Sequence, residues 1–131
     1  MYRYRPRRPP DPAMWLSLDE QDRIGLVEAF HRSERIELPN AKVHAAFHVI
    51  VENQIAEAHD PVVRAIDRLA GEGLDRHECI HAVAWVLSQQ FYSAAKSEHN
   101  EAKANVQSQY DSAVERLSAA SWRAQATDEE A

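Results

Sequence analysis

Cysteine occurs once in 131 residues and glycine three times, so the chain carries neither a disulfide framework nor a glycine-repeat fibre. No apolar run approaches the ~18 residues a membrane span needs. The first residues also lack the apolar stretch of a secretion signal. These absences predict a cytoplasmic protein with no membrane partner. Basic residues are outnumbered, 15 Lys and Arg against 21 Asp and Glu, and the formal charge of −6 argues against general nucleic-acid binding. There is no Gly-rich phosphate loop, no alternating strand pattern and no repeat of solenoid length. What is present is 44% hydrophobic and 27% charged, the balance of a globular domain of ordinary size. Histidine is out of proportion: there are seven.

Three segments are predicted. Residues 1–12 form a basic arm, flexible or draped over the domain, because Pro6, Pro9, Pro10 and Pro12 are incompatible with a helix interior. Its Arg3, Arg5, Arg7 and Arg8, interleaved with Tyr2 and Tyr4, can touch phosphates, but one short basic run reads first as a solvated tail. Residues 13–123 form a single helical domain, and the polar, acidic residues 124–131 a frayed tail.

Within the domain the hydrophobic period is helical throughout, which gives an all-α class and a small bundle of about five helices. Ser17-Leu18-Asp19-Glu20 has the form of a capping box and opens a first helix along Ile24, Val27 and Phe30, to about Ser33. Pro39-Asn40 opens a second, to about Ala58, with Val43, Phe47, Ile50 and Val51 on one face. Asp60-Pro61 starts a short third helix that Gly71 and Gly73 stop. A second capping box, Asp75 to Glu78, opens a fourth helix along Ile80, Ala84, Leu87 and Phe91. Val106, Tyr110, Val114 and Leu117 mark a fifth, from about Asn100 to Trp122.

Four histidines fall in two pairs with i, i+4 spacing: His44 and His48 on the second helix, His77 and His81 on the fourth. At that spacing two imidazoles sit one above the other on the same side of a helix. Seven histidines placed at random in this length would give about 0.4 such pairs. On a helical wheel both pairs edge the apolar arc, where a ligand to a core-side ion belongs. A third helix of about ten residues descends about 15 Å, which would bring a parallel fourth helix back level with His44 and His48. The metal site is therefore expected between these two adjacent helices, with Zn²⁺ the first choice and Fe, Ni or Cu also suited to imidazole. Glu52, one turn beyond His48, can replace an imidazole in an open three-ligand version. His31, His59 and His99 are expected to be ordinary exposed or boundary residues, and Cys79 a small buried or boundary thiol. Unperturbed imidazoles protonate near pH 6.5, so metal binding should fade below that value and be lost by about pH 5.

His77-Glu78-Cys79-Ile80-His81 also fits the HExxH zinc-protease pattern, in which the Glu polarises a metal-bound water. Two features weigh against a peptidase. Glu78 already serves as the third residue of the Asp75 cap, and no strand exists to bind an extended substrate backbone. Glu78 remains a candidate base or a carboxylate partner to a ligand.

The stretch from Val43 to Tyr92, with His44-x₃-His48, Glu52-Asn53-Gln54, Pro61 and Arg76-His77-Glu78-x₂-His81, resembles the small bacterial proteins grouped as domain of unknown function 1841. The resemblance covers about 50 residues. It implies a compact helical protein with a metal site and no assigned reaction.

Three functions follow in order: a small metal-binding helical protein; a metal-dependent hydrolase or oxidase with Glu78 or Glu52 as base; and an interaction module whose histidines are incidental. Whether the chain is an enzyme, and whether it forms a homodimer, is left open by the sequence.

Overall fold

The computed structural model describes residues 2–36, 40–96 and 105–130. Among them there are seven helices and no strand: α1 Pro12–Ser17, α2 Glu20–Ser33, α3 Ala41–Ala56, α4 Asp60–Gly71, α5 Arg76–Lys96, α6 Val106–Arg116 and α7 Ala119–Glu130. The all-helical class agrees with the hydrophobic period, and the two helices beyond the expected five have local causes. Asp11 accepts a bond from the Met14 amide at 3.0 Å, and Pro12 takes the first helical position, where no amide hydrogen is needed. That makes α1, and it ends at Ser17, whose hydroxyl donates back to the Met14 carbonyl at 2.6 Å. Ser17 is therefore no cap for α2, which starts after Asp19. The expected last helix breaks at Leu117, whose ψ of 136° is extended. Ser118 and Ser121 then cap α7 reciprocally, each hydroxyl accepting from the other's amide at 3.0–3.1 Å. Helix α7 carries its backbone to Glu130, past the predicted start of the tail at Ala124, through Ala, Gln and Glu, which favour helix. The predicted start near Asn100 lies outside the described residues.

Three helices stop in the same way. After α2, α3 and α4 a residue of positive φ follows the cap: Arg35 at 57°, Ala58 at 58° and Gly73 at 104°. In each case the next amide reaches back across six residues, Ile36 to the His31 carbonyl, His59 to Gln54 and Leu74 to Leu69, at 2.9–3.2 Å. Only Gly73 takes up this geometry without a Cβ penalty.

Helix α3 separates two hydrophobic clusters. Val51 joins the larger one, built with Val62 and Leu69 of α4, Ile80 and Val83 of α5 and Tyr110 and Val114 of α6. Ala45 and Val49 join the smaller one, with Tyr4, Trp15, Ile24 and Val27. Trp15 is fully buried and donates Nε1–H to Asn53 Oδ1 at 2.9 Å; Arg23 donates to the same oxygen, so α1 and α2 are tied to one point on α3. None of the described helices is long and apolar enough to cross a membrane.

The segment before α1 takes the draped of the two forms expected of it, not the flexible one. It has no helix, but Tyr4 is 3% exposed and packs its ring against Trp15, Phe30 and His48. The Pro6 carbonyl accepts from Arg76 at 2.9 Å, and Arg7 pairs with Asp75 at 3.5 Å. A strap rather than a tail results, because a tyrosine ring supplies apolar area and a polar tip that both find partners.

Candidate metal centre

Helices α2, α3 and α5 bring imidazoles together at the boundary of the two clusters. His31, His44, His48 and His81 each offer a ring nitrogen, and these nitrogens all lie within 4.8 Å of one another. His44 Nε2 is 3.1 Å from His81 Nε2, and His31 Nε2 is 3.4 Å from His77 Nε2. Nitrogens held at 2.0–2.1 Å around a tetrahedral ion would be about 3.3 Å apart, so both separations are of that size. His77 stands against the set, its ring 4.1 Å from His81 and 5.5 Å from His48.

Three of the four histidines expected to bind, His44, His48 and His81, are thus in the four-nitrogen group, and His77 borders it. The contact order differs from the parallel alignment expected: Glu52 meets Arg76, His48 meets His77, and His44 meets His81. Around the imidazoles the contacts descend α3 as they ascend α5, whereas Phe47 meets Phe91 farther along α5. The helix rise used for the expectation gives the height of a return but not the direction in which the next helix crosses.

His31, expected to be an exposed or boundary residue, is 3% exposed and at the centre of the group, with its ring 5.0 Å from His44 and 5.4 Å from His48. A signal for this exists: His31 lies four residues beyond Val27 and seven beyond Ile24, on the buried stripe of α2. His59 is elsewhere, with Nε2 2.9 Å from Asp111 across α4 and α6. His99 falls outside the described residues. Cys79 is buried, one of the two placements expected of it, with its pKa pushed up to about 11 by burial.

Both candidate carboxylates stand outside the four-nitrogen group. Glu52 is 1% exposed, but both its oxygens are taken: Oε1 accepts from Arg76 Nη2 and Oε2 from Arg76 Nη1, each at 2.7 Å, and Oε2 also accepts the Tyr4 hydroxyl. An arginine fork of this kind occupies both carboxylate oxygens at once. Glu78 is exposed on the first turn of α5; its amide bonds Asp75 Oδ1 at 2.8 Å, and its position in the cap turns it outward. The HExxH spacing is therefore a cap plus two inward histidines.

The polar chain around His48 fixes which of its nitrogens is available. Burial first, then the nearby Glu52 charge, hold the Tyr4 hydroxyl well above its usual pKa, so it keeps its proton. That single proton goes to Glu52, and Tyr4 must then accept from His48 Nε2–H, 2.8 Å away. His48 Nδ1 is left with a bare lone pair, buried and without a hydrogen-bond partner. A ligand imidazole has this arrangement: one nitrogen held by an outer hydrogen bond, the other free for an ion.

The whole group is kept neutral. Burial, followed by repulsion from the neighbouring imidazoles, lowers the pKa of His44 to about 4 and of His77 to about 4. The same causes bring His81 to about 2 and His48 well below its usual value. Burial lowers His31 as well, against a bond to the Val27 backbone. Neutral imidazole is the metal-binding form, so the expected loss of ligands near pH 6.5 moves to lower pH. No family model, curated protein or solved structure matches this chain.

Proposed function

We propose that the chain binds one transition-metal ion through His31, His44, His48 and His81, with His77 as an adjoining fifth imidazole. The observation that carries this reading is the orphaned His48 Nδ1, since a buried ring nitrogen without a partner is costly unless something fills its lone pair. The tetrahedral-scale separation of the His44 and His81 nitrogens, the grouping of all four ring nitrogens within 4.8 Å and the neutral state of the rings support it. Zn²⁺ is the first choice for four imidazoles at this spacing, and Fe, Ni and Cu accept the same donors. A bound ion would join α2, α3 and α5, so metal binding and folding would be coupled.

The test is elemental analysis of the purified protein, followed by chelation and reloading. The expected result is about one metal equivalent per chain, lost to a chelator and restored by added Zn²⁺. Metal content near zero, with no uptake of Zn²⁺, Ni²⁺, Co²⁺ or Fe²⁺, overturns the reading.

A further inference from the structure

A recess of about 390 Å³ lies where the strap meets the end of α3 and the start of α5. Its wall is mostly apolar, made by Pro9, Pro10 and Pro12 of the strap side and by Ile55 and Ala56 of α3. That volume is at the small end of the ~300–1,000 Å³ range of ligand sites, which combine apolar walls with a few placed polar groups. Here the polar groups are Asp11, Glu52 and Arg76. None of the five clustered imidazoles lines the recess.

A guanidinium has five N–H donors. In Arg76, Nη1 gives one to the Pro6 carbonyl and one to Glu52 Oε2, and Nη2 gives one to Glu52 Oε1. Glu52 thus takes the end of the guanidinium. The second Nη2–H and the Nε–H lie side by side along the remaining edge, and neither has a partner among the described residues. Two parallel N–H groups on one edge match the two oxygens of a carboxylate. Asp11 has an opening of the opposite kind. Its Oδ2 accepts from the Met14 amide, whereas Oδ1 has no partner among the described residues.

The charge of the wall narrows the choice of ligand. Two carboxylates and one guanidinium leave it net negative, so a plain carboxylic acid would add a second uncompensated charge. A plain amine would pair with Asp11 and leave the Arg76 edge empty. A zwitterion serves both groups without changing the net charge. We propose that this recess binds an α-amino acid with an apolar side chain. Its carboxylate lies on the free edge of Arg76, its ammonium on Asp11 Oδ1, and its side chain against the proline rings and Ile55. The site needs no ion and is separate from the metal reading above.

Isothermal titration of the full chain with L-leucine and L-phenylalanine tests this. The expected result is saturable one-to-one binding of at least one of them, unchanged when a chelator is present. Glycine, which lacks the apolar side chain, should bind about tenfold more weakly or worse. N-acetyl-leucine lacks the ammonium and leucine methyl ester the carboxylate, so each should also lose about tenfold or more. Asp11→Asn keeps a residue able to cap α1 and should weaken leucine binding by about tenfold. Ala56→Leu fills the recess and should abolish binding, with circular dichroism confirming that both variants are folded. Absence of saturable binding with both amino acids overturns the proposal. So does binding of the acetyl or ester analogue as tight as that of leucine, or undiminished binding to Ala56→Leu. Binding that disappears on chelation would place the ligand at the imidazoles and overturns it as well, whereas a chain that takes up no metal but binds leucine overturns the metal reading alone.

Discussion

The Tyr4 hydroxyl lies 2.8 Å from His48 Nε2, a contact across 44 positions of sequence. The same oxygen donates to Glu52, which Arg76 holds from the other side. The strap before α1 therefore takes part in setting the tautomer of a histidine on α3. Its covering of the smaller hydrophobic cluster and its hold on His48 come from one side chain, so the cluster and the candidate metal centre should respond together to changes in the strap.

Tyr4→Phe tests this. The ring stays and the hydroxyl goes, which frees His48 to adopt either tautomer and leaves Glu52 short of a donor. Metal affinity should fall by about tenfold or more, the usual size for losing an outer hydrogen bond on a ligand histidine. Stability should fall by about 1–3 kcal/mol. Chelator competition and urea unfolding measure the two effects, and unchanged affinity would remove Tyr4 from the centre.

His31→Ala should lower metal affinity by more than about tenfold, as should His44→Ala, His48→Ala and His81→Ala. His59→Ala should not, because its nitrogen serves Asp111 of α6 and His59 is outside the four-nitrogen group. A competition titration that fails to separate His31 from His59 would put His31 back among ordinary boundary residues.

Much of this arrangement could be read in the sequence, and the misses have identifiable causes. Period alone places α2 through α5, because each carries an apolar stripe and a cap or a stop within a residue or two of its ends. The two i, i+4 pairs were visible for the same reason. His31 was missed because it stands alone, and single histidines are judged by pairing rather than by their place on the stripe of Ile24 and Val27. Tyr4 could not be found: it has no period, its neighbours are Arg and Pro, and its partners are 44 and 48 positions away. Glu52 looked like a ligand because helical spacing shows which way it faces but not that Arg76 faces it.

Ala58→Gly should stabilise the protein. Ala58 has φ of 58° in the turn that ends α3, is exposed, and has a methyl group that makes this conformation unfavourable. Glycine removes that strain at some entropic cost, for a net gain of about 0.5–1 kcal/mol. Such a gain raises the melting temperature by roughly 2–5 °C for a chain of this size. A lower melting temperature would mean that the Ala58 methyl makes a stabilising contact outweighing its strain.

Arg76→Ala should be far more damaging than an ordinary surface substitution. The Glu52 side chain is 1% exposed and that of Arg76 13%, and the pair makes two bonds of 2.7 Å. Removing the guanidinium leaves a buried carboxylate with only Tyr4 to satisfy it and also releases the Pro6 carbonyl of the strap. A loss of about 3–5 kcal/mol is expected. The double variant Arg76→Ala with Glu52→Gln should recover part of that loss, and denaturant titration of the three proteins checks both statements.

Acid should act on the apo-protein and on metal binding at different pH. In the folded apo-protein His44 and His77 stay neutral down to about pH 4, whereas in the unfolded chain a histidine takes up its proton near pH 6.5. Between those values the unfolded state binds more protons. The stability held by these neutral rings is therefore complete above about pH 6.5 and is lost as pH falls toward 4. The folded site remains a set of neutral donors across the same window, so protons compete with the ion only near its lower end. The apo-protein's melting temperature should decline steadily from about pH 7 to about pH 4.5. The metal-bound form should melt higher than the apo form at about pH 7.5, and that advantage should still be present at about pH 5 and vanish near pH 4. Thermal unfolding of both forms over this series decides the matter: an advantage already gone by about pH 6 would mean that the histidines titrate as exposed groups and that the buried, neutral cluster does not hold the ion.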